Sequence, residues 1–318
     1  MDYIKIQASY LKEPYLSYLS DDVIKERMID FRRIVHTLND KGEQVFISQE
    51  NEENKILTER YFHTKAEMKR RNLTITTSFG SNSLTNDNLP RARDLVTLPL
   101  KGKCEKLSFI KSKVQEKRPH LVKFGRREYL ERRSFKVSLA SSFNDALLNK
   151  ARKDNELSLT VFSNPANLMI KNQAGREIKP ISPVLMSYES NDYYIFCSSY
   201  VFDIRLFSDF DADSCLFIYD LESFHNDMLQ SMNKHINIKS FGFGPVSYID
   251  PVLDSEVGEL CVCSSKDIKY IYQKEFRCVF FGDERNDLPE NIYLDMPQTK
   301  SYTEVFSLQP LVYWTRQY

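Results

Sequence analysis

The chain has 318 residues with 44 basic and 44 acidic side chains, so its formal net charge is zero and global charge points to neither a polyanionic partner nor a membrane surface. Apolar residues make up 42% and charged residues 28%, ordinary globular usage that excludes a disordered or fibrous chain. Only 9 glycines are present and neither GxGxxG nor GxxxxGKS/T occurs, which excludes the usual Gly-rich phosphate loops.

This length sits where single cores begin to divide, and we expect two units, residues 1–117 and 118–318. The first residues, MDYIKIQASYLKEPY, lack the basic-then-apolar order of a secretory leader, and no run approaches 18 apolar residues, so a cytoplasmic location without membrane association is expected. The six cysteines (Cys104, Cys197, Cys215, Cys261, Cys263 and Cys278) show no C-x-x-C pair and read as reduced thiols rather than disulfides or zinc ligands. The five histidines show no metal-like spacing, and no metal is expected.

Val23, Ile24, Met28, Phe31, Ile34, Val35 and Leu38 recur at helical spacing, which predicts an amphipathic helix over 21–38 capped by Ser20 or Asp21. A short strand, QVFIS, follows, then a polar helix or surface excursion over 49–72, then LTITTSF and DLVTLPL. This first unit carries no site signature; a target-binding or regulatory role is its expected use. Residues 101–136 hold thirteen Lys/Arg against four Glu, either a solvated face or a phosphate-binding one.

The second unit opens with the strand LVKF at Leu121, a helix through GRREYLERR and a strand FKVSLA. SFND then turns into a helix expected through ALLNKARKDNEL, which Asn144 and Asp145 are suited to cap. Strand patterns dominate from Pro180: SPVLMSY, YYIFCSSYVF, SCLFIYD, GPVSYID, ELCVCS and EFRCVFFG, interrupted by one helix, LESFHNDMLQSMNKH. Many strands with few intervening helices predict an α+β fold with a mixed, largely antiparallel sheet.

Chemistry is suggested by KYIYQKEFRCVFFG. Taken as a strand entry, it puts Gln273, Glu275 and Arg277 on one face, where Glu275 and Arg277 also read as a plain ion pair. A Q-x-E pair entering an apolar strand resembles the active-site motif of ADP-ribosyltransferases. LVKFGRREYL resembles the first core strand of that superfamily, with Lys123 where many members carry Arg or His. YYIFCSSYVF resembles its Ser-containing strand, with Ser198 as the chosen hydroxyl and Ser199 in reserve.

Residues 118–282 further resemble a divergent bacterial defence and toxin family with a basic first strand, an F-N-D turn, a Cys-Ser strand and a Y-x-x-E-[WFY]-R motif, matched here by Lys123, SFND, FCSS and YQKEFR. The resemblance implies a split-sheet ADP-ribosyltransferase-like domain that uses NAD as co-substrate. Glu275 would be catalytic and Gln273 would place the acceptor. Lys123, Ser198, Ser199 and Tyr272 would contact NAD, with Tyr194, Tyr200 and Phe276 as further aromatics for the nicotinamide ring. It implies a toxin of a toxin–antitoxin or anti-phage system acting on RNA or protein, with an antitoxin protein as partner. The alternative is a non-enzymatic nucleic-acid-binding or sensor module with a degenerate transferase fold.

Overall fold

The computed structural model describes residues 2–39, 43–75, 104–148, 151–253, 260–282 and 289–308. DLVTLPL, most of LTITTSF, and Lys101 and Lys103 of the basic segment lie outside them.

The chain begins with α1 (Tyr3–Lys12) and α2 (Asp21–Ile34). The Ser20 hydroxyl accepts the Val23 amide, Asp21 and Asp22 lie in the first turn of α2, and Arg32 and Arg33 lie in its last, so both ends complement the helix dipole. The helix stops four residues short of expectation. His36, Thr37 and Leu38 form β1 (His36–Leu38), paired antiparallel with β2 (Gln44–Phe46), because β-branched and ring side chains fit that ladder better than a further helical turn. The polar stretch that follows is α3 (Glu52–Arg70), capped by Asn51.

Next come α4 (Cys104–Lys117), β3 (Leu121–Gly125), α5 (Arg127–Arg132) and β4 (Ser134–Leu139). The hairpin β5 (Ser158–Ser163) and β8 (Val184–Glu189) encloses the small ribbon β6 (Ile170–Lys171) and β7 (Glu177–Ile178). The remaining elements are β9 (Tyr194–Ser199), α6 (Arg205–Asp209), β10 (Ser214–Ile218), α7 (Leu221–Met232), β11 (Ile238–Pro245), β12 (Ser247–Ile249), β13 (Ser265–Asp267), β14 (Glu275–Gly282), β15 (Asn291–Asp295) and β16 (Thr303–Ser307).

The main sheet has eight strands, in the order β11-β14-β9-β3-β10-β16 with β4 and β15 off that path, and every pairing in it is antiparallel. The α+β, largely antiparallel expectation therefore holds. Its central feature is a fork at β9. One edge of β9 pairs fully with β14, while the other is divided: Ser199 meets Val122 of β3, whereas Ile195 and Tyr194 meet Ser138 and Leu139 of β4. Two strands sharing one edge must diverge, because neighbours in a ladder keep a fixed spacing only while they pair. The divergence opens a cleft.

Both sheet faces are covered. Phe224, Met228 and Met232 of α7 pack on Phe135, Phe196, Phe276, Cys278 and Phe280. On the opposite face, Leu107 and Ile110 of α4 and Leu206 and Phe207 of α6 cover Val122, Phe124, Cys215 and Phe217. The N-terminal helices bury apolar side chains against later parts of the chain, with Phe31, Ile34 and Leu57 meeting Ile268 and Ile271. Polar ties cross the same seam. Both terminal guanidinium nitrogens of Arg27 donate to the two oxygens of Asp250, at 2.6 and 2.7 Å, and Arg60 adds a third contact at 3.0 Å.

Two expected elements are absent. Residues 146–157, where a helix was expected, run as turns and irregular chain in their described part. Three carbonyls of this segment accept side-chain donors from elsewhere: Ala151 from Gln273, Lys153 from the Tyr270 hydroxyl and Glu156 from the Tyr193 hydroxyl. Asp145 accepts the Leu147 amide at 2.9 Å, a local turn rather than a helix cap. Likewise ELCVCS, expected as a strand, forms in its described part a 3-10 turn over Val262–Ser264. Among the described residues no helix is long and apolar enough to cross a membrane.

Candidate functional site in the sheet fork

A cavity of about 610 Å³ occupies the fork, lined by β3, β4, β9, the turn segment after β4 and the start of β14. Lys123, Ser198, Ser199, Gln273 and Glu275, drawn from three separate stretches of the chain, all line it. Its size falls within the ordinary range for small-molecule and cofactor sites, roughly 300–1,000 Å³.

Gln273 reaches the cavity by a different route from the one its spacing predicts. It is not a strand residue. Ile268–Gln273 is a 3-10 turn, Lys274 adopts the left-handed conformation at φ 46°, and β14 begins at Glu275. Lys274 is held in this unfavoured region by an ion pair to Glu53 of α3 and by hydrogen bonds of its own amide and carbonyl to Ile271 and Tyr200. The Gln273 amide then donates to the Ala151 carbonyl at 2.6 Å, so this side chain fixes one wall of the cavity.

Glu275 lies at the centre of a buried ionic cluster. Its Oε1 accepts from Arg277 Nε at 2.7 Å and its Oε2 from Lys266 Nζ at 2.8 Å. Glu156 bridges the same two cations, accepting from Lys266 at 3.0 Å and from Arg277 Nη2 at 2.5 Å. Asp154 stands 3.6 Å from Lys266. All four central residues are at most 6% exposed. Burial alone would push the Glu275 carboxyl up, but Arg277 and Lys266 outweigh it and hold the group well below the usual carboxylate range. Asp154 goes the other way: burial, only partly opposed by Lys266, raises it to about 6.

The β9–β14 register assigns the two serines. Ser199 lies directly opposite Glu275 and Cys197 opposite Arg277, so these share a face, whereas Ser198 lies opposite Phe276. The Ser198 hydroxyl donates to the Phe276 carbonyl at 3.2 Å, and that of Ser199 donates to the Val201 carbonyl at 2.8 Å. Lys123 donates to the Cys197 carbonyl at 2.7 Å and holds its ammonium 4.7 Å from the centre of the Phe196 ring. Burial lowers its pKa, which makes it a cation that gains from an anionic neighbour.

Tyr272 is not brought to this cavity. Its ring lies under the Arg205 guanidinium at 3.7 Å, in the core on the α6 side. Tyr194 and Phe276 are core residues, and Tyr200 lies outside the lining. The aromatic walls are instead Phe124, Tyr129, Phe135, Phe143, Phe210 and Tyr293, with Tyr129 and Tyr293 about half exposed at the rim.

Lys266 and Glu156 were missed in the sequence. Neither sits in a motif, and a lysine in a three-residue strand carries no signal of burial. The F-N-D turn did contribute, since Phe143 and Asp145 line the cavity. Among the described residues no group of three or more His, Cys, Asp or Glu is placed to hold a metal ion. No protein-family model, curated protein or solved structure matches the chain.

Proposed function

We propose that the fork cavity binds NAD and that the protein is an ADP-ribosyltransferase acting on a cellular acceptor. The observation that carries this reading is the convergence of Lys123, Ser198, Ser199, Gln273 and Glu275, chosen from motif order alone, on one cavity of about 610 Å³.

Breaking the bond between nicotinamide and ribose sends the bonding electrons out with neutral nicotinamide and leaves an oxocarbenium-like ribose. A fixed carboxylate beside that charge is worth more than in water, because it is already oriented and the cleft is partly dry. Glu275 is ionised and oriented by Arg277. Its second oxygen turns from Lys266 to the ribose when NAD enters, and Lys266 keeps Glu156 and Asp154 as counter-charges. Lys123 faces the pyrophosphate as a point charge, Ser199 steadies the ribose beside Glu275, and a rim aromatic such as Tyr129 or Tyr293 covers the nicotinamide ring. The acceptor then attacks the anomeric carbon and gives up its proton.

RNA or protein is the proposed acceptor class, and growth arrest in a toxin–antitoxin or anti-phage setting, with an antitoxin partner, is the proposed context. A second reading has its own support. Both oxygens of Glu275 and the Lys123 ammonium are already engaged, an arrangement that suits a non-catalytic nucleic-acid-binding or sensor module. Purified protein incubated with labelled NAD and whole-cell lysate separates the readings. Label in nucleic acid or protein supports transfer, label only in free ADP-ribose means hydrolysis, and intact NAD leaves the non-catalytic module.

A further inference from the structure

Behind the ionic cluster two thiols lie side by side. Cys261 and Cys263 flank the first residue of the 3-10 turn Val262–Ser264, in which the Ser264 amide and hydroxyl both donate to the Cys261 carbonyl, at 3.1 and 3.2 Å. The turn buries Val262 and folds the residues on either side of it toward each other, bringing their Sγ atoms to 3.3 Å. Cys261 is exposed and Cys263 half-buried, so one sulfur meets solvent and the other waits beneath it.

We propose that Cys261 and Cys263 form a redox dithiol site that hydrogen peroxide converts to an intrachain disulfide. Cys261 is the attacking thiol. The polar groups of Ser264 beside it, and then the Cys263 thiol at 3.3 Å, hold it below the ordinary thiol value against an opposing effect of burial, while burial pushes Cys263 up to about 12. The Cys261 thiolate attacks one peroxide oxygen, the O–O bond breaks, and the leaving hydroxide takes a proton to become water. The resulting sulfenic acid is attacked by the sulfur of Cys263, whose proton leaves with the departing hydroxyl as a second water. In sum two thiols lose two electrons and two protons, and one peroxide becomes two waters. Cys215 and Cys278 are fully buried, and each is raised by burial, so they remain thiols under the same treatment.

The site has a line of communication to the cleft. The Cys263 carbonyl accepts Arg277 Nη1 at 3.0 Å, and Arg277 holds Glu275. A disulfide needs its sulfurs at about 2.05 Å, so closing the gap moves the turn that carries this carbonyl. Oxidation therefore loosens the anchor of Arg277.

The native full chain is treated with one molar equivalent of hydrogen peroxide, quenched, unfolded, alkylated with N-ethylmaleimide and weighed. The expected result is the loss of two maleimide adducts and a peptide linked between Cys261 and Cys263. Cys261→Ser abolishes the reaction, and Cys263→Ser stops it at a sulfenic acid that dimedone traps on Cys261. Retention of both adducts, over-oxidation of Cys261 with Cys263 still alkylatable, or a disulfide between two chains overturns the proposal. The thermal midpoint reads the link to Arg277. It falls on oxidation of the wild type, recovers with dithiothreitol and stays fixed in Cys261→Ser; an unchanged midpoint in fully oxidised wild type overturns that link. Neither readout involves NAD, so both stand apart from the proposed transferase activity.

Discussion

Two buried carboxylates, Asp250 and Glu275, are each gripped by two cations and each held below the usual carboxylate range, yet they do different work in the fold. Asp250 is fully buried, takes a further hydrogen bond from the Val252 amide, and does not line the fork cavity. It ties α2 and α3 to the end of β12. Glu275 opens onto the fork cavity together with Lys266 and Glu156. A depressed pKa alone therefore does not mark a site, because structural ion pairs depress carboxylates just as strongly. What sets Glu275 apart is the empty space in front of it and the other candidate residues around that space.

Neutralising each carboxylate in turn breaks the comparison most severely. Asp250→Asn leaves Arg27 without a charge partner in the core, which costs about 3–5 kcal/mol in chemical denaturation, while NAD cleavage per folded molecule is unchanged. Glu275→Gln leaves Lys266 and Arg277 still paired with Glu156, so it costs less stability than Asp250→Asn, while NAD cleavage falls about a hundredfold to a thousandfold. Swapped signatures would reverse the assignment of structural and catalytic roles.

Lys123→Ala sharpens the picture of the cavity. Loss of one charge-assisted contact, about 1.5–3 kcal/mol, weakens NAD binding roughly tenfold to a hundredfold in a calorimetric titration. By register, Ser199→Ala then disturbs turnover more than Ser198→Ala does. Equal affinity in wild type and Lys123→Ala would remove this residue from the cofactor site.

Asp154 gives a pH test of the cluster. Its folded pKa, about 6, lies above the unfolded value near 3.8, so between those values the folded state binds more protons than the unfolded state. The Asp154 contribution thus favours folding at low pH and is lost as pH rises from about 4 to about 6. Asp154→Asn removes this dependence and stabilises the protein at pH 7 by about 1–3 kcal/mol, with no gain at pH 3.5. Urea midpoints at the two pH values read the difference, and a variant less stable than wild type at pH 7 contradicts it.

The smallest effect is expected on the surface. Lys113 pairs with Glu116 and Lys117 with Glu304, and both pairs are solvent-accessible, so removing them changes stability little. Neutralising Lys111, Lys113, Lys117 and Arg118 together nonetheless flattens the salt dependence of single-stranded RNA binding, whose log–log slope is about −0.7 per phosphate contacted. Wild-type binding without salt dependence, with label going to a discrete protein band, leaves a protein acceptor instead.

How far the sequence could be read differs between strands and the joints between them. Short apolar runs located β3, β4, β9, β10 and β14, because burial on both faces of a sheet writes such runs directly into the chain. Ser20 marked the start of α2 by its chemistry. The joints were less legible. A Lys in the left-handed region before Glu275 breaks the strand reading of Gln273 without any Gly or Asn to signal it. The 146–157 segment has helix-forming composition, but its carbonyls are claimed by Gln273, Tyr270 and Tyr193, which are distant in sequence. For the same reason motif order singled out Glu275 and Lys123, which line the fork cavity, but not Lys266 or Glu156, whose proximity to them is created by the fold.

The central claim is that NAD sits in the fork with its nicotinamide ribose against Glu275, and the most direct measurement is a crystal structure of the Glu275→Gln variant soaked with NAD, in which slow turnover keeps the dinucleotide intact. The account predicts density in the fork, with the nicotinamide ribose within hydrogen-bond distance of position 275 and the pyrophosphate turned toward Lys123. NAD in the cavity of about 760 Å³ on the other side of Glu156 and Lys266, lined by Arg27 and Asp30 of α2, Lys153 and Lys269, or an empty fork at millimolar NAD, would contradict it.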